Sequence, residues 1–256
     1  MTSAHQIPVL QKAIRVIAAI AEGGCEPTHR ALSAALKIAP ATCYRILQTF
    51  AHAGWVRTLD GGGYDLGMGL FPLLQGLQSE ELLSQRMVDA INELTAAAGV
   101  TSKVSARDGD ESLTLLRVDS PQPMALAVRP GARFHLTLGA SGAVLLSALP
   151  DSEIGRIIRD APKECWQWQK PEDVWHRVAE MRREGVVADH GHYRPDVFGI
   201  SVAILGAQGA MRGSLTLTGL LHGCSKTQLA AFRKLLVRKA VELNRPTKAR
   251  RSNENR

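Results

Sequence analysis

The sequence predicts a two-part fold: an N-terminal winged helix-turn-helix, mainly α-helical, joined by a helix to an α+β domain. Three observations lead to this fold class. Apolar residues recur at helical spacing across residues 9–53, and a glycine-rich hairpin signal follows them. After Gly99 the pattern changes to short strands interleaved with helices, which is typical of an antiparallel sheet flanked by helices.

Three helices account for most of the N-terminal region. Residues 9–21 form an amphipathic helix that ends at Gly23 and Gly24, and residues 32–36 lie in a short second helix. Residues 37–39 are a break too short for anything but a turn between packed helices. Pro40 suits the first turn of the third helix, about residues 40–53, where a missing N–H costs nothing.

The third helix has two different faces. Its inward stripe consists of Cys43, Ile46, Leu47 and Phe50. Its outer side carries Thr42, Tyr44, Arg45, Gln48 and Thr49. After Gly54, residues 55–57 and 64–66 read as two strands around a turn at 59–63. Together these features predict a winged helix-turn-helix. The third helix of the chain is the second helix of that motif, and it is shaped to enter a DNA major groove.

The outer side chains have the chemistry that DNA contacts need. Arg45 can pair with a phosphate or with the acceptor edge of guanine, and Thr42 and Tyr44 can donate to phosphate or touch a thymine methyl. Arg57, in the first strand of the wing, is placed to follow the phosphate backbone. The alternative is a small helical bundle with a solvated polar face, or a helix-turn-helix used as an interaction module.

The elements of the C-terminal part follow in order. Residues 70–78 and 80–98 read as helices, and 101–107 with 112–118 as a hairpin around 108–111. The other strand candidates are 125–128, 135–138, 186–190, 197–205 and 214–218. The other helix candidates are 139–149, 151–159, 174–184 and 225–243.

Motifs along nearly the whole chain, from about residue 7 to 245, resemble the IclR family of bacterial transcriptional regulators. Residues 9–17 (VLQKAIRVI) are similar to its first helix, 42–47 (TCYRIL) to its recognition helix, and 54–56 with 63–67 to its wing. Residues 142–150 (GAVLLSALP) and 183–189 (REGVVAD) resemble two landmarks of its effector domain. Pro40 and Ala41 depart from the lysine and serine usual in the family, which removes two groups that contact the DNA backbone.

The resemblance implies a domain plan and a function. Residues 1–66 are the DNA-binding domain, 67–80 a linker helix, 81–245 a GAF-like effector-binding domain and 246–256 a basic disordered tail. The protein is then a regulator that binds double-stranded DNA as a homodimer or a dimer of dimers (a homotetramer). A small organic acid, possibly aromatic, modulates that binding. The resemblance implies neither enzyme activity nor a cofactor.

The effector pocket is also assigned by the resemblance. It implies that Ser141, Gly142, Asp189, Gly199, Thr216 and Thr218 form its walls. The helix start at 139–142 offers free N–H groups to an anion, and Thr216 and Thr218 alternate on one strand so that both face one side. Leu126, Ile200 and Val202 are the candidates for an apolar wall. Ordinary sheet and cap hydrogen bonding remains the alternative role for the hydroxyl groups.

Composition limits the class of protein. With 256 residues and 45% hydrophobic content, the chain can hold one large or two moderate domains. No apolar run approaches 18 residues, the first six residues lack a signal-peptide layout, and the four cysteines match no metal or redox spacing. We therefore expect no membrane association and a cytoplasmic protein with reduced thiols.

The net charge of +7 does not come from the predicted DNA-binding domain. Residues 1–80 hold six Lys or Arg against five Asp or Glu, whereas residues 225–256 hold ten against two. A solvated helix face followed by a disordered tail explains this basic end. A secondary electrostatic contact with DNA is the alternative.

Two signals favour other classes of function. Residues 139–143 (GASGA) come close to the nucleophile elbow of hydrolases, but Ala143 replaces its second glycine. His190 and His192 have a metal-ligand spacing, yet no third or fourth ligand is evident. The competing hypothesis is thus a small-molecule-binding or hydrolytic protein with a vestigial helix-turn-helix.

Overall fold

The computed structural model describes residues 6–23, 26–75, 80–122 and 128–245. It forms two compact units, Met1–Gln78 and Ser79–Arg256. In the described part of the chain, no helix has the length and apolar character that crossing a bilayer requires.

The first unit is the predicted winged helix-turn-helix. Its helices are α1 (Pro8–Glu22), α2 (His29–Leu36), α3 (Pro40–His52) and α4 (Phe71–Gln75), the last preceded by a 3-10 turn at Met68–Leu70. Its wing pairs strand β1 (Val56–Thr58) antiparallel with β2 (Tyr64–Leu66). The core contains Val16, Ile20, Leu32, Ile38, Cys43, Ile46, Leu47, Val56 and Tyr64.

Local sequence explains the boundaries of α2 and α3. The Thr28 hydroxyl caps α2 by accepting a hydrogen bond from the Ala31 N–H at 3.3 Å. Lys37 ends α2 in the left-handed conformation, with φ 53°, and so turns the chain within three residues. Pro40 lies in the first turn of α3, as predicted, because its missing N–H is not needed there.

Glycines tie the wing to the end of α3. The Gly67 N–H donates to the Trp55 carbonyl at 2.8 Å, and the Gly69 N–H donates to the Gly54 carbonyl at 2.9 Å. A Cβ atom on Gly67 would lie 2.1 Å from the Gly54 oxygen, and one on Gly69 would lie 2.7 Å from the Ala53 oxygen. Only glycine therefore permits this close backbone approach.

The second unit is an α+β domain. Its helices are α5 (Gln85–Ala98), α6 (Gly139–Ser147), α7 (Asp151–Arg159), α8 (Pro171–Glu184) and α9 (Lys226–Leu243). Its strands are β3 (Thr101–Asp108), β4 (Glu111–Val118), β5 (Arg133–His135), β6 (Val186–His190), β7 (Val197–Leu205) and β8 (Met211–Leu220). Short 3-10 turns occur at Glu80–Leu83, Lys163–Trp166 and Ala207–Gly209.

The six strands form one antiparallel sheet in the order β5-β4-β3-β8-β7-β6. Helices α5 and α9 cover one face, called here the α9 face, and the main apolar core lies between them and the sheet. Helices α6 and α8 cover the other, called here the α6 face. Helices α6, α7 and α8 share a further apolar cluster around Leu146, Ile154 and Val178.

Most predicted elements of this unit are found, although the ends of several differ from the prediction. The helix predicted over 80–98 begins only at Gln85, because the Ser84 side chain caps it by accepting from the Met87 N–H at 3.4 Å. The strand predicted at 135–138 is β5, which ends at His135. In the first unit, helix α4 is described from Phe71 to Gln75, and residues 76–78 of the helix predicted over 70–78 lie outside the described residues.

Two further predictions cannot be compared with the structure. Residues 125–127 of the strand candidate at 125–128 lie outside the described residues, and Val128 belongs to no strand. The basic tail, 246–256, also lies outside them.

Candidate functional site

The outer side of α3 presents polar side chains to solvent. Tyr44, Arg45, Gln48 and Thr49 are exposed, and Thr42 is half-buried. The Tyr44 ring lies edge-on to His29, with 6.1 Å between ring centroids, and the Thr49 hydroxyl donates to the Arg45 carbonyl at 2.8 Å. Among the described residues, the Arg45 guanidinium has no hydrogen-bond or ion-pair partner, so it is available to a ligand.

Arg57 is differently placed. It lies opposite Asp65 in the wing, and its Nη2 is 2.5 Å from the Asp65 carboxylate. The hydrogen bond from Arg57 holds the pKa of Asp65 below its usual range, and the Leu66 N–H adds to the effect. Both side chains are exposed, so this pair is weak and water or a phosphate can compete for it.

One surface of α1 is apolar and exposed. Ile7, Leu10 and Ile14 follow each other at helical spacing and are 57%, 56% and 65% exposed. These residues face away from the core that Val16 and Ile20 enter. A run of exposed aliphatic side chains on one helix is typical of a surface that another chain covers.

A cavity of about 210 Å³ lies in the second unit, between the start of α6 and the α6 face of the sheet. Five residues predicted for an effector pocket line it together: Ser141, Asp189, Gly199, Thr216 and Thr218. Leu126, the sixth, lies outside the described residues. Gly142, the seventh, is not in the wall.

Gly142 has a packing role instead. A Cβ atom at this position would lie 2.1 Å from the Leu136 carbonyl oxygen, so the residue lets α6 approach the chain that precedes it. Ile200 and Val202 do not supply the apolar wall either. Both belong to the core on the α9 face, because strand alternation sends their side chains away from Gly199 and Ser201.

The strand register explains how the wall is built. Asp189, Gly199 and Thr218 lie opposite one another on β6, β7 and β8, and Ser201, Thr216 and Lys103 lie opposite one another on β7, β8 and β3. Residues opposite one another on neighbouring strands point to the same face. Two polar rows therefore cross the α6 face side by side.

Hydrogen bonds fix the hydroxyl groups of these rows. The Ser201 and Thr216 hydroxyls are 2.6 Å apart, and the Thr218 hydroxyl donates to the Phe198 carbonyl at 2.7 Å. All three side chains are buried. The hydroxyls are thus held in place, and those of Thr216 and Thr218 lie at the wall of the cavity.

Asp189, at one end of the cavity, is buried and already well paired. Its carboxylate accepts from the backbone N–H groups of His192 and Tyr193, both at 3.1 Å, and it lies 3.1 Å from His192 Nδ1. Arg177 on α8 brings a buried guanidinium within 3.8 Å. The negative charge of Asp189 is therefore compensated by the protein itself.

Lys103, which the sequence analysis passed over, lines the same cavity. Its side chain is 6% exposed, and its Nζ lies 5.2 Å from the centre of the Phe134 ring. Burial lowers the pKa of this lysine to about 8. The signal available in the sequence was a lysine in the middle of a predicted strand, with uncharged residues on both sides at 101–102 and 104–106.

The rest of the wall is mostly apolar. Phe134 and Tyr193 meet edge to face with centroids 6.1 Å apart, and Val128, Leu138 and Val197 complete this side. Burial raises the pKa of Tyr193. The start of α6, at Gly139, Ala140 and Ser141, lies opposite with no side chain capping it among the described residues.

The two histidines with a metal-ligand spacing lie in different surroundings. His190 is exposed at the end of β6, whereas His192 is bonded to Asp189. Within the parts of the chain that the structure describes, no three His, Cys, Asp or Glu side chains are grouped as metal ligands. Cys43, Cys165 and Cys224 are free thiols, and Cys25 lies outside the described residues.

Comparison with protein families assigns both units. Residues 9–60 match the model described as the IclR helix-turn-helix domain. Residues 76–245 match the model described as the bacterial transcriptional regulator IclR C-terminal domain. The two matches together cover most of the chain.

Individual relatives agree with this result. The chain is 21% identical to the HTH-type transcriptional regulator XynR of Escherichia coli, over 93% of this chain and 98% of that protein. Over 62% of this chain and 64% of the relative, it is 23% identical to the probable transcriptional regulator SauR of Cupriavidus necator.

Solved structures have the same fold. An IclR homolog from Microbacterium hydrocarbonoxydans, crystallised with 4-hydroxybenzoate, superposes with a TM-score of 0.72 at 19% identity, covering 92% of this chain and 97% of that one. Thermotoga maritima IclR superposes with a TM-score of 0.70 at 16% identity, covering 94% and 98%. The predicted winged helix-turn-helix and α+β fold is confirmed.

Proposed function

The chain belongs to the IclR family of bacterial transcriptional regulators, and from this premise we propose that α3 is its operator-reading helix. The proposed contacts come from Thr42, Tyr44, Arg45, Gln48 and Thr49. Arg57 of the wing contacts the phosphate backbone after exchanging its Asp65 partner for a phosphate. The observation that carries this assignment is the exposed, unpaired Arg45 in the middle of the outer face of α3.

The proposed effector is a small organic acid bound in the cavity of the second unit. Ser141, Asp189, Gly199, Thr216 and Thr218 form its polar wall, and the open start of α6 offers N–H groups to an anion. The volume of about 210 Å³ is below the range of about 300–1,000 Å³ usual for drug-sized ligands, which favours a small metabolite. A structural relative bound to 4-hydroxybenzoate supports an aromatic acid.

We propose a homodimer, or a dimer of dimers, paired in part through the exposed surface of Ile7, Leu10 and Ile14 on α1. Pairing gives two reading helices that match the two halves of a palindromic operator. The effector changes the spacing of the two reading helices by favouring one of two assemblies. Such a protein acts in the cytoplasm, where the DNA is, and needs neither a cofactor nor a catalytic residue.

The first test is binding to the DNA upstream of the protein's own gene, titrated across salt concentrations. We expect specific binding that weakens steeply with salt, because phosphate contacts release counterions. Arg45→Ala should lower the affinity by roughly 5- to 150-fold, the equivalent of about 1–3 kcal/mol for a base or phosphate contact. Lys12→Ala, which removes an exposed positive charge from α1, is the matched control and should keep most of the affinity.

The outcomes separate the two classes of function. If Arg45→Ala binds the operator as tightly as the wild type, the assignment of α3 is wrong. If no fragment is preferred at any salt concentration, the alternative of a small-molecule-binding protein with a vestigial helix-turn-helix is favoured. A panel of organic acids added to the same titration then tests whether any acid alters operator affinity.

A further inference from the structure

Lys103 is a buried cation that has no counter-charge within the described part of the chain. Among the residues that the structure describes, none offers its ammonium group a hydrogen bond, and no carboxylate lies within 4 Å of it. Its contact with the Phe134 ring is a weak cation–π interaction. An unpaired buried charge lowers the stability of the fold, so its presence calls for an explanation outside the folded chain.

The charges around the cavity do not balance. Asp189 is held by Arg177 and two N–H groups, and it lies three strands away from Lys103, roughly 14 Å at about 4.8 Å per strand. Arg194 at the mouth is exposed and adds another positive charge. Arg117, opposite Lys103 on β4, is paired with Asp119 at 2.5 Å. The elements β8 and α6 present only uncharged wall residues.

We propose that Lys103 determines the charge of the effector: its ammonium group binds the carboxylate of a small monoanionic acid. This inference rests on the proposed function of the cavity and deepens it. The carboxylate replaces the missing counter-ion. The adjacent Thr216 hydroxyl donates a hydrogen bond to it, with Ser201 as the donor within the Ser201–Thr216 pair. The ring or chain of the acid then lies against Phe134, Tyr193 and Val128.

The competing position for the carboxylate is the start of α6. That site offers partial charges on N–H groups, whereas Lys103 offers a full charge in a setting of low polarity, where an ion pair is stronger. The two positions predict different acid binding by variants of Lys103. Loss of Lys103 removes acid binding only if the carboxylate is at Lys103.

The experiment measures ligand-induced thermal shifts and calorimetric affinity on the full chain. The probes are benzoate, 4-hydroxybenzoate and hexanoate, each beside its neutral amide. The variants are Lys103→Met, which keeps length without charge, and Lys103→Arg, which keeps the charge. Gly199→Val is the third variant: its Cβ fits at 3.6 Å from Ala140, and its methyl groups reduce the space in the cavity.

We expect at least one acid to stabilise the wild type while its amide does not. Lys103→Met should bind that acid at least about 30-fold more weakly, the usual loss when one partner of a buried charge pair is removed. Lys103→Arg should retain binding. An acid that binds Lys103→Met as well as the wild type, or an amide that binds as well as its acid, would overturn the inference, and so would a wild type that none of the acids stabilises.

The pH dependence gives an independent readout with benzoate. Above about pH 8 the free Lys103 loses its proton, so wild-type affinity should fall about tenfold per pH unit, whereas Lys103→Arg should show no such fall. Burial raises the pKa of Tyr193, which opposes its ionisation as the pH rises. A flat profile for the wild type contradicts the role of Lys103.

Two further results distinguish a failure of this inference from a failure of the proposed function. If Gly199→Val abolishes the response to an acid and Lys103→Met does not, the cavity is the effector site and Lys103 is not its anion partner. If neither variant changes the response, the acid binds elsewhere and the proposed site fails as well. Without ligand, Lys103→Met should melt several degrees higher than the wild type; a lower melting temperature would show that Lys103 serves the fold.

Discussion

Polar residues are used in opposite ways in the two units. In the first unit, Tyr44, Arg45 and Gln48 lie in water on a helix whose other side forms the core. In the second unit, Lys103, Thr216 and Asp189 are buried on a sheet whose other side forms the core. The difference shows that a surface site can be added to a fold at little cost, whereas an internal site uses positions that apolar residues would otherwise fill.

The largest effect on stability should come from a substitution on the apolar side of the sheet, and it tests this comparison most directly. Ile200 is 1% exposed on the α9 face, so Ile200→Ala should lower the free energy of unfolding by about 2–5 kcal/mol. Urea unfolding followed by tryptophan fluorescence measures this. Val241→Ala, at an aliphatic residue that is 54% exposed on α9, is the control and should lose no more than about 0.5 kcal/mol.

Lys103 should have the opposite effect on stability from Ile200, because its buried charge lowers the free energy of unfolding. Its pKa is about 8 in the folded chain and about 10.4 in the unfolded chain, so between these values the unfolded state binds more protons. The free energy of unfolding therefore rises with pH across this window, by about 3 kcal/mol in total. The destabilisation by the buried charge is fully present below pH 8. Chemical unfolding from pH 7 to 11 measures this rise.

The informative quantity is the difference in the free energy of unfolding between the wild type and Lys103→Met, because contributions shared by the two proteins cancel in it. That difference should shrink as the pH rises. A difference that stays constant with pH would mean that Lys103 keeps its ordinary pKa in the folded chain.

A smaller effect comes from the paired hydroxyls of the α6 face. Thr216→Val leaves the Ser201 hydroxyl without its partner, so the free energy of unfolding should fall by about 1–3 kcal/mol. Adding Ser201→Ala removes the unpaired group, and the double variant should recover part of the loss. A loss in the double variant equal to the sum of the losses in Thr216→Val and Ser201→Ala alone would show that the two hydroxyls do not interact.

The smallest effect on stability belongs to the wing. Asp65→Asn removes a carboxylate that binds Arg57 on the surface, and the melting temperature should not change measurably. Operator affinity should instead rise a few-fold at low salt, because Arg57 is released and a negative charge is removed. Weaker operator binding by Asp65→Asn would mean that the ion pair positions Arg57 for DNA.

The sequence allowed the fold to be predicted where local signals and packing agree. Strands β6 and β7 and helix α7 begin and end at the predicted residues, since each is bounded by turn residues and has a regular apolar pattern. The start of α5 was predicted too early because apolar spacing continues through Leu82 and Leu83, although Ser84 caps the helix. At the start of α5, the side-chain cap therefore determines the boundary, although the helical spacing of apolar residues begins earlier.

The residues that line the cavity were harder to predict from the sequence. Ser141, Asp189, Gly199, Thr216 and Thr218 were assigned through family motifs, and the structure brings these five together. Ile200 and Val202 were assigned to the wrong side because proximity in sequence was given more weight than strand alternation. Lys103 was missed because its burial depends on the pairing of β3 with β8, which no local pattern reveals.

That pairing also determines when the cavity can exist. Lys103 lies opposite Thr216, more than a hundred residues later in the chain, whereas β7 and β8 are joined by a short hairpin. Closing so long a loop is entropically costly and slow, so we expect the seam between β3 and β8 to form late in folding. During synthesis, a chain that has not yet left the ribosome as far as β8 can contain the complete winged helix-turn-helix but not the cavity. The cavity, and with it the proposed response to an effector, is thus the last feature that we expect this protein to acquire and the first that truncation before β8 would remove.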